Sequence, residues 1–134
     1  MKSNANISIN DSMYISKTDL EKLKIDASSG NSQAASKLAN YFAFYEFNND
    51  KFIFWLIRSA ELGNTQAQYD LAYIFFDHYQ DCKDKNKLDE AEKWALLAQK
   101  NGMSITTLLT DIHREIDIAQ GGLRKTGTPK AQRK

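Results

Sequence analysis

The chain has 134 residues, 42% of them hydrophobic and 26% charged, and a formal net charge of +1, so it is long enough for one domain with its own core and carries no chain-wide electrostatic bias. Its single cysteine, Cys82, excludes an internal disulfide and fits a reducing compartment. The opening MKSNANISINDSMYIS lacks the apolar core of a secretion signal, and no apolar run reaches the roughly 18 residues of a membrane span, so a cytoplasmic location is expected.

The one proline is Pro129, close to the C-terminal end, which leaves the body free to form uninterrupted helices. Residues 1–17 are rich in Asn and Ser, with scattered Ile7, Ile9, Tyr14 and Ile15, and read as a flexible arm that either docks by its apolar residues or is simply disordered. A first helix is expected from Thr18, with Glu21 completing a capping box, Leu20, Leu23 and Ala27 on one face, and a stop at Gly30. A second is expected from about Ser32 to Phe47, with Ala34, Ala35, Leu38, Ala39 and Phe42 as its apolar stripe. Asp50 is the expected cap of a third, which carries Phe52, Trp55, Leu56, Ser59 and Ala60 and stops at Gly63. A fourth starts near Thr65 and carries Ala67, Leu71, Ala72, Phe75 and Phe76. The polar stretch from Gln80 to Lys87 reads as a loop. A fifth helix then carries Leu88, Ala91, Trp94, Ala95 and Ala98 to Gly102, and a sixth runs from Ser104 through Leu108, Leu109, Ile112 and Ile116 to Gly121 and Gly122.

The last segment, 121–134, holds Arg124, Lys125, Lys130, Arg133 and Lys134 and no acidic residue, and its composition predicts disorder. With those five set aside, thirteen of the eighteen Lys and Arg face seventeen Asp and Glu, so the body is mildly acidic.

The chain repeats itself. GNSQAASKLANYF, Gly30 to Phe42, aligns with GNTQAQYDLAYIF, Gly63 to Phe75, with seven of thirteen positions identical at a shift of 33 residues. The partner helices match too: Trp55 stands eight residues before Gly63, and Trp94 stands eight before Gly102. The shift there is 39, because the segment around Cys82 adds six residues. Periods of this size mean stacked helix pairs, each burying its apolar face against the next. Ala39 and Ala72 fall where the paired helices must approach closely. These features predict an all-α fold, an alpha-alpha superhelix of stacked antiparallel helix pairs with about six helices over 18–120. Its units span about 31–63 and 64–102, with a cap at each end.

The segments QAQYDLAYIF and AEKWALLAQKNG resemble the Sel-one-like repeat family, a branch of the tetratricopeptide-type solenoids. The likeness covers about residues 26–102 well and 103–118 weakly. Departures are Ala39 and Ala72 in place of a usual glycine, the missing Gly-rich turn between helices, and Phe52 where the later unit has Ala91. The resemblance implies a non-catalytic adaptor whose inner face is lined by the first helix of each pair. The solvent-facing positions there are Gln33, Ser36, Asn40 and Phe44, then Gln66, Tyr69, Tyr73 and Asp77. Tyr69 and Tyr73 lie one turn apart and offer area and a hydroxyl at low entropic cost, or else pack on a neighbouring helix. The aromatic run from Tyr41 to Trp55 exceeds what one helix face can bury; it serves as core or as an exposed patch.

Catalytic chemistry has little to work with. His78 and Cys82 supply two of the four ligands a closed zinc site needs, so no metal is expected. The acids Asp77, Asp81 and Asp84 beside that pair disfavour a thiolate, so it makes a poor nucleophile. His113, between Asp111 and Glu115, reads as a solvated helix residue. No Gly-rich loop opens a helix, so no phosphate-binding cofactor is expected, and cofactors in general are expected to be absent. The basic tail is too slight to make nucleic acid the expected partner. The expected partner is a protein, with no membrane role and no oligomeric state assigned. Short Sel-one-like proteins resemble bacterial adaptors, some of them immunity proteins that neutralise a cognate toxin, and an acidic body suits a basic toxin domain. The alternative is a general adaptor or self-associating scaffold of a regulatory or secretion pathway, joined through end helices by Ile105, Leu108, Leu109 and Ile112.

Overall fold

The computed structural model describes residues 13–121. Residues 1–12 of the expected arm, and all of the expected tail beyond Gly121, lie outside them. The described chain is all-α: α1 Lys17–Ser28, α2 Ser32–Phe44, α3 Asn49–Glu61, α4 Thr65–Cys82, α5 Lys85–Lys100 and α6 Thr106–Ala119. No strand occurs among the described residues. The consecutive residues Ala67 and Gln68, within α4, divide the chain into two compact units.

One local device recurs at the turns. At Gly63 the amide donates to Ala60 O at 3.0 Å, and the next amide, Asn64, donates to Ser59 O at 3.1 Å. These are the two hydrogen bonds of a Schellman motif, which needs the left-handed backbone that Gly63 adopts at φ 101°. Asn64 then opens the following helix, because its Oδ1 accepts from Ala67 N at 2.9 Å. Gly30 and Asn31 repeat the arrangement between α1 and α2. Two residues thus close one helix and cap the next, which explains why the Gly-Asn pair heads both copies of the repeat. Gly102 closes α5 in the same way, yet Ile105 precedes α6 with no side-chain cap.

In the first unit α2 packs against both α1 and α3. Ala27, Ala34, Ala35, Leu38, Tyr41 and Phe42 form the core cluster, with Ile15, Leu20, Leu23, Tyr45, Phe52 and Trp55 against it. The buried Ser59 hydroxyl sits 2.6 Å from Ser36 Oγ and donates to Ser32 O at 3.1 Å. Asn64 Nδ2 donates to Ser36 Oγ at 3.1 Å, which ties the α3 turn back to α2. Arg58 donates to the carbonyls of Ala27 and Ser28 at the C-terminus of α1, the first of which also accepts from Gly30 N.

In the second unit α5 packs against α6. Leu71, Ala72, Phe75, Phe76 and Tyr79 of α4 are buried, as are Leu88, Ala91, Trp94, Ala95 and Ala98 of α5 and Leu109 and Ile112 of α6. The amide of Gln68, 1% exposed, accepts from Asn101 Nδ2 at 3.0 Å.

Several element boundaries differ from the expected ones, each for a local reason. Ser16, not Thr18, caps α1, accepting from Asp19 N at 3.2 Å. Asn48, not Asp50, caps α3, accepting from Lys51 N at 3.1 Å; Asp50 sits in the first turn. α2 ends at Phe44, short of Phe47, because Phe47 takes a left-handed backbone at φ 54°. The expected loop from Gln80 to Lys87 shrinks to Lys83 and Asp84. Tyr79 extends the apolar period of α4 beyond Phe76, and Asp84 caps α5 through Asn86 N at 2.9 Å. α6 begins at Thr106 instead of Ser104.

Candidate functional site

Tyr69, Tyr73 and Asp77 recur every fourth residue on α4, which aligns them along one helix face. The same helix commits Leu71, Ala72, Phe75, Phe76 and Tyr79 to the interior, and this fixes the other face outward. Burial of Leu109 and Ile112 on α6, and of Ile105 just before it, orients Leu108 and Asp111 to one side. The two helices border a groove of about 380 Å³. Tyr69, Tyr73, Phe76, Asp77 and Gln80 line it from α4, and Thr107, Leu108 and Asp111 from α6. The Tyr69 and Tyr73 rings meet edge to face with centroids 6.4 Å apart, and Tyr73 remains 55% exposed. Asp111 Oδ1 lies 3.0 Å from Arg114 Nη1, and Asp77 is exposed.

The chain is similar to an uncharacterized protein of Escherichia coli (strain K12), YibG. The two are 32% identical over 88 residues, 66% of this chain and 58% of that protein. The chain therefore spans less than two thirds of the length of this curated relative. No family model and no solved structure matches the chain.

The expected residues of the first unit are more dispersed. Gln33 and Asn40 are exposed on α2, and Gln33 borders a depression of about 340 Å³ with Leu23, Asp26 and Lys37. Phe44, 45% exposed, lines a different pocket of about 350 Å³ with Phe42, Ala43, Phe47, Asn49 and Phe52. Gln66 is exposed. Ser36 departs from the expected solvent-facing role: its hydroxyl belongs to the Ser59 and Asn64 network.

Two features were not legible beforehand. Asp111 and Leu108 face Tyr69 and Tyr73 across the groove, a pairing between residues about 40 apart that no periodicity encodes. Phe47, 65% exposed, is held in a backbone region costly for a bulky side chain. The aromatic run is thereby divided: Tyr41 and Phe42 are core, whereas Phe44, Phe47 and Phe54 are exposed.

The residues considered for chemistry stay apart from the groove. Cys82 Sγ accepts from Asp84 N at 3.3 Å, and His78 packs edge-on near Phe75. Among the described residues no three His, Cys, Asp or Glu gather to hold a metal ion. His113 Nε2 lies 2.9 Å from Glu92 Oε2. Tyr41 is buried and donates to Glu46 Oε2 at 3.0 Å; burial, and then the Glu46 carboxylate, push its phenol up to about 12. No described helix is long and apolar enough to cross a membrane.

Proposed function

We propose that the chain is a Sel-one-like protein-binding module without catalytic activity, working in the cytoplasm. The most specific form of this reading is an immunity protein that binds and neutralises a cognate bacterial toxin. The groove of Tyr69, Tyr73 and Asp77 carries the reading: it presents an aromatic pair, Tyr73 exposed and Tyr69 half-buried, on one helix beside polar groups that give orientation. Exposed tyrosine at the mouth of a groove is the kind of residue that dominates binding energy at protein interfaces. The recurring Gly-Asn turns and small buried residues at Ala39 and Ala72 support the repeat assignment.

Affinity capture from native lysate with the full chain tests this. One partner in stoichiometric amount is expected, and Tyr73→Ala should lower its recovery by about tenfold or more, as expected for a hot-spot tyrosine. Recovery of no stoichiometric partner counts against the reading. If that partner is a toxin, co-expression should restore growth to cells producing it.

A second reading, a general adaptor, is favoured by the separate pocket of Phe44 and Phe47 in the first unit. An adaptor holding two partners would lose one on Phe47→Ala and the other on Tyr73→Ala. Self-association through α6 has less support, because Ile105, Leu109 and Ile112 are buried. Light scattering that gives a monomer at every concentration would remove it.

A further inference from the structure

We propose that the groove between α4 and α6 receives a lysine or arginine side chain from a basic segment of the protein partner. The inference rests on the protein-binding reading and gives the chemistry of what that groove takes.

Three observations converge. The groove combines an aromatic wall with two carboxylates: Tyr69 and Tyr73 stand edge to face, Asp77 follows one turn beyond Tyr73, and Asp111 faces them from α6. A cation over a tyrosine face is attracted by the ring quadrupole, and a nearby carboxylate adds a direct charge partner. Phe76 and Leu108 supply apolar surface for the methylene stem of such a side chain, which buries its stem while its charged head reaches polar groups. About 380 Å³ is at the small end for ligand sites, the right scale for one or two side chains.

Charge outside the groove points the same way. Residues 13–67 carry six acidic and six basic side chains, whereas residues 68–121 carry ten acidic and six basic. The acidic excess of the described chain therefore lies wholly in residues 68–121. α4 contributes Asp70, Asp77 and Asp81 and has no Lys or Arg. Arg114, on α6, is engaged with Asp111 Oδ1 at 3.0 Å. Apart from the five cations of residues 122–134, the charge of this segment favours a basic partner segment over an acidic one.

The test uses the isotope-labelled full chain and two probes: a capped alternating Gly-Lys hexapeptide, and the same peptide with every lysine acetylated. The lysine peptide should shift the amide signals around Tyr73, Asp77 and Asp111. It should bind about tenfold more tightly than the acetylated one, and less tightly as salt rises. Tyr73→Ala should weaken it by about threefold, the scale of an exposed cation–π contact. Asp77→Asn should do likewise without changing the melting temperature. Equal binding of both peptides in the groove overturns the cation assignment but leaves the protein-binding reading standing. Shifts confined to other acidic surfaces, or no binding of the lysine peptide, also overturn it, while partner capture judges the parent reading separately. A variant with Arg124, Lys125, Lys130, Arg133 and Lys134 changed to glutamine guards against one further occupant. If it binds the lysine peptide more than tenfold tighter than the natural chain, the site belongs to the chain's own tail and the partner assignment falls.

Discussion

Tyr41 buries its ring in the first unit, stacks on Tyr45 with centroids 5.3 Å apart, and donates its hydroxyl to Glu46. Its phenol is pushed from 10.0 up to about 12, so the folded chain holds that proton more firmly than the unfolded one does. The stabilisation is complete below pH 10, fades as pH rises, and is lost as pH passes 12. Denaturant titrations at pH 9 and pH 11.5 should show a larger loss of stability in the natural chain than in Tyr41→Phe. Equal losses would show that Tyr41 contributes nothing to the alkaline response. Phe47 presents the opposite case, an exposed ring on a left-handed backbone. Phe47→Gly should raise stability by about 1 kcal/mol, since glycine adopts that region without the Cβ clash. Such strain in a solvent-facing aromatic is consistent with selection for a surface instead of for stability.

At the scale of elements, the Gly-Asn turn sets the geometry of the repeat. A Cβ at Gly63 would meet no atom within 4 Å, so its replacement acts through the backbone alone. Gly63→Ala should cost about 1–2 kcal/mol, the penalty for a left-handed non-glycine residue, and thermal unfolding reads it directly. Asn64→Ala removes both the cap on Ala67 N and the bond to Ser36, and should cost about 1–2 kcal/mol. The glycine stops were legible in the sequence because their signal is local; the Asn caps that follow them, reaching three residues on, came from the structure. The boundaries expected at Thr18 and Asp50 shift for a related reason. Neighbouring Ser16 and Asn48 have the same capping chemistry, and only the packed chain decides which of two adjacent candidates wins. The α4 helix outran its expected end because Tyr79, one of six tyrosines in the chain, turned inward instead of facing water.

At the scale of the molecule, each unit is built around fully buried small and branched residues, and density governs the response to substitution. Leu71→Ala should cost about 2–5 kcal/mol by leaving a cavity, whereas Leu96→Ala, at an exposed position, should change stability by less than about 0.5 kcal/mol. Ala72→Leu should cost about 1–3 kcal/mol by overpacking, and a chain that accepts it without loss would deny that the helices approach closely there. The sequence by itself determined the all-α class, the number of helices, the repeated turn and most of the core. Each of these follows from spacing along one helix or from side chains reaching a few residues away. It also placed Tyr69, Tyr73 and Asp77 on one face, since fourfold spacing is a property of the helix alone. Only the tertiary structure decided that Ser36 is spent on an internal network with Ser59, and that Asp111 and Leu108 stand opposite the two tyrosines. Those pairings join residues distant along the chain, and they depend on which face each helix commits to the core.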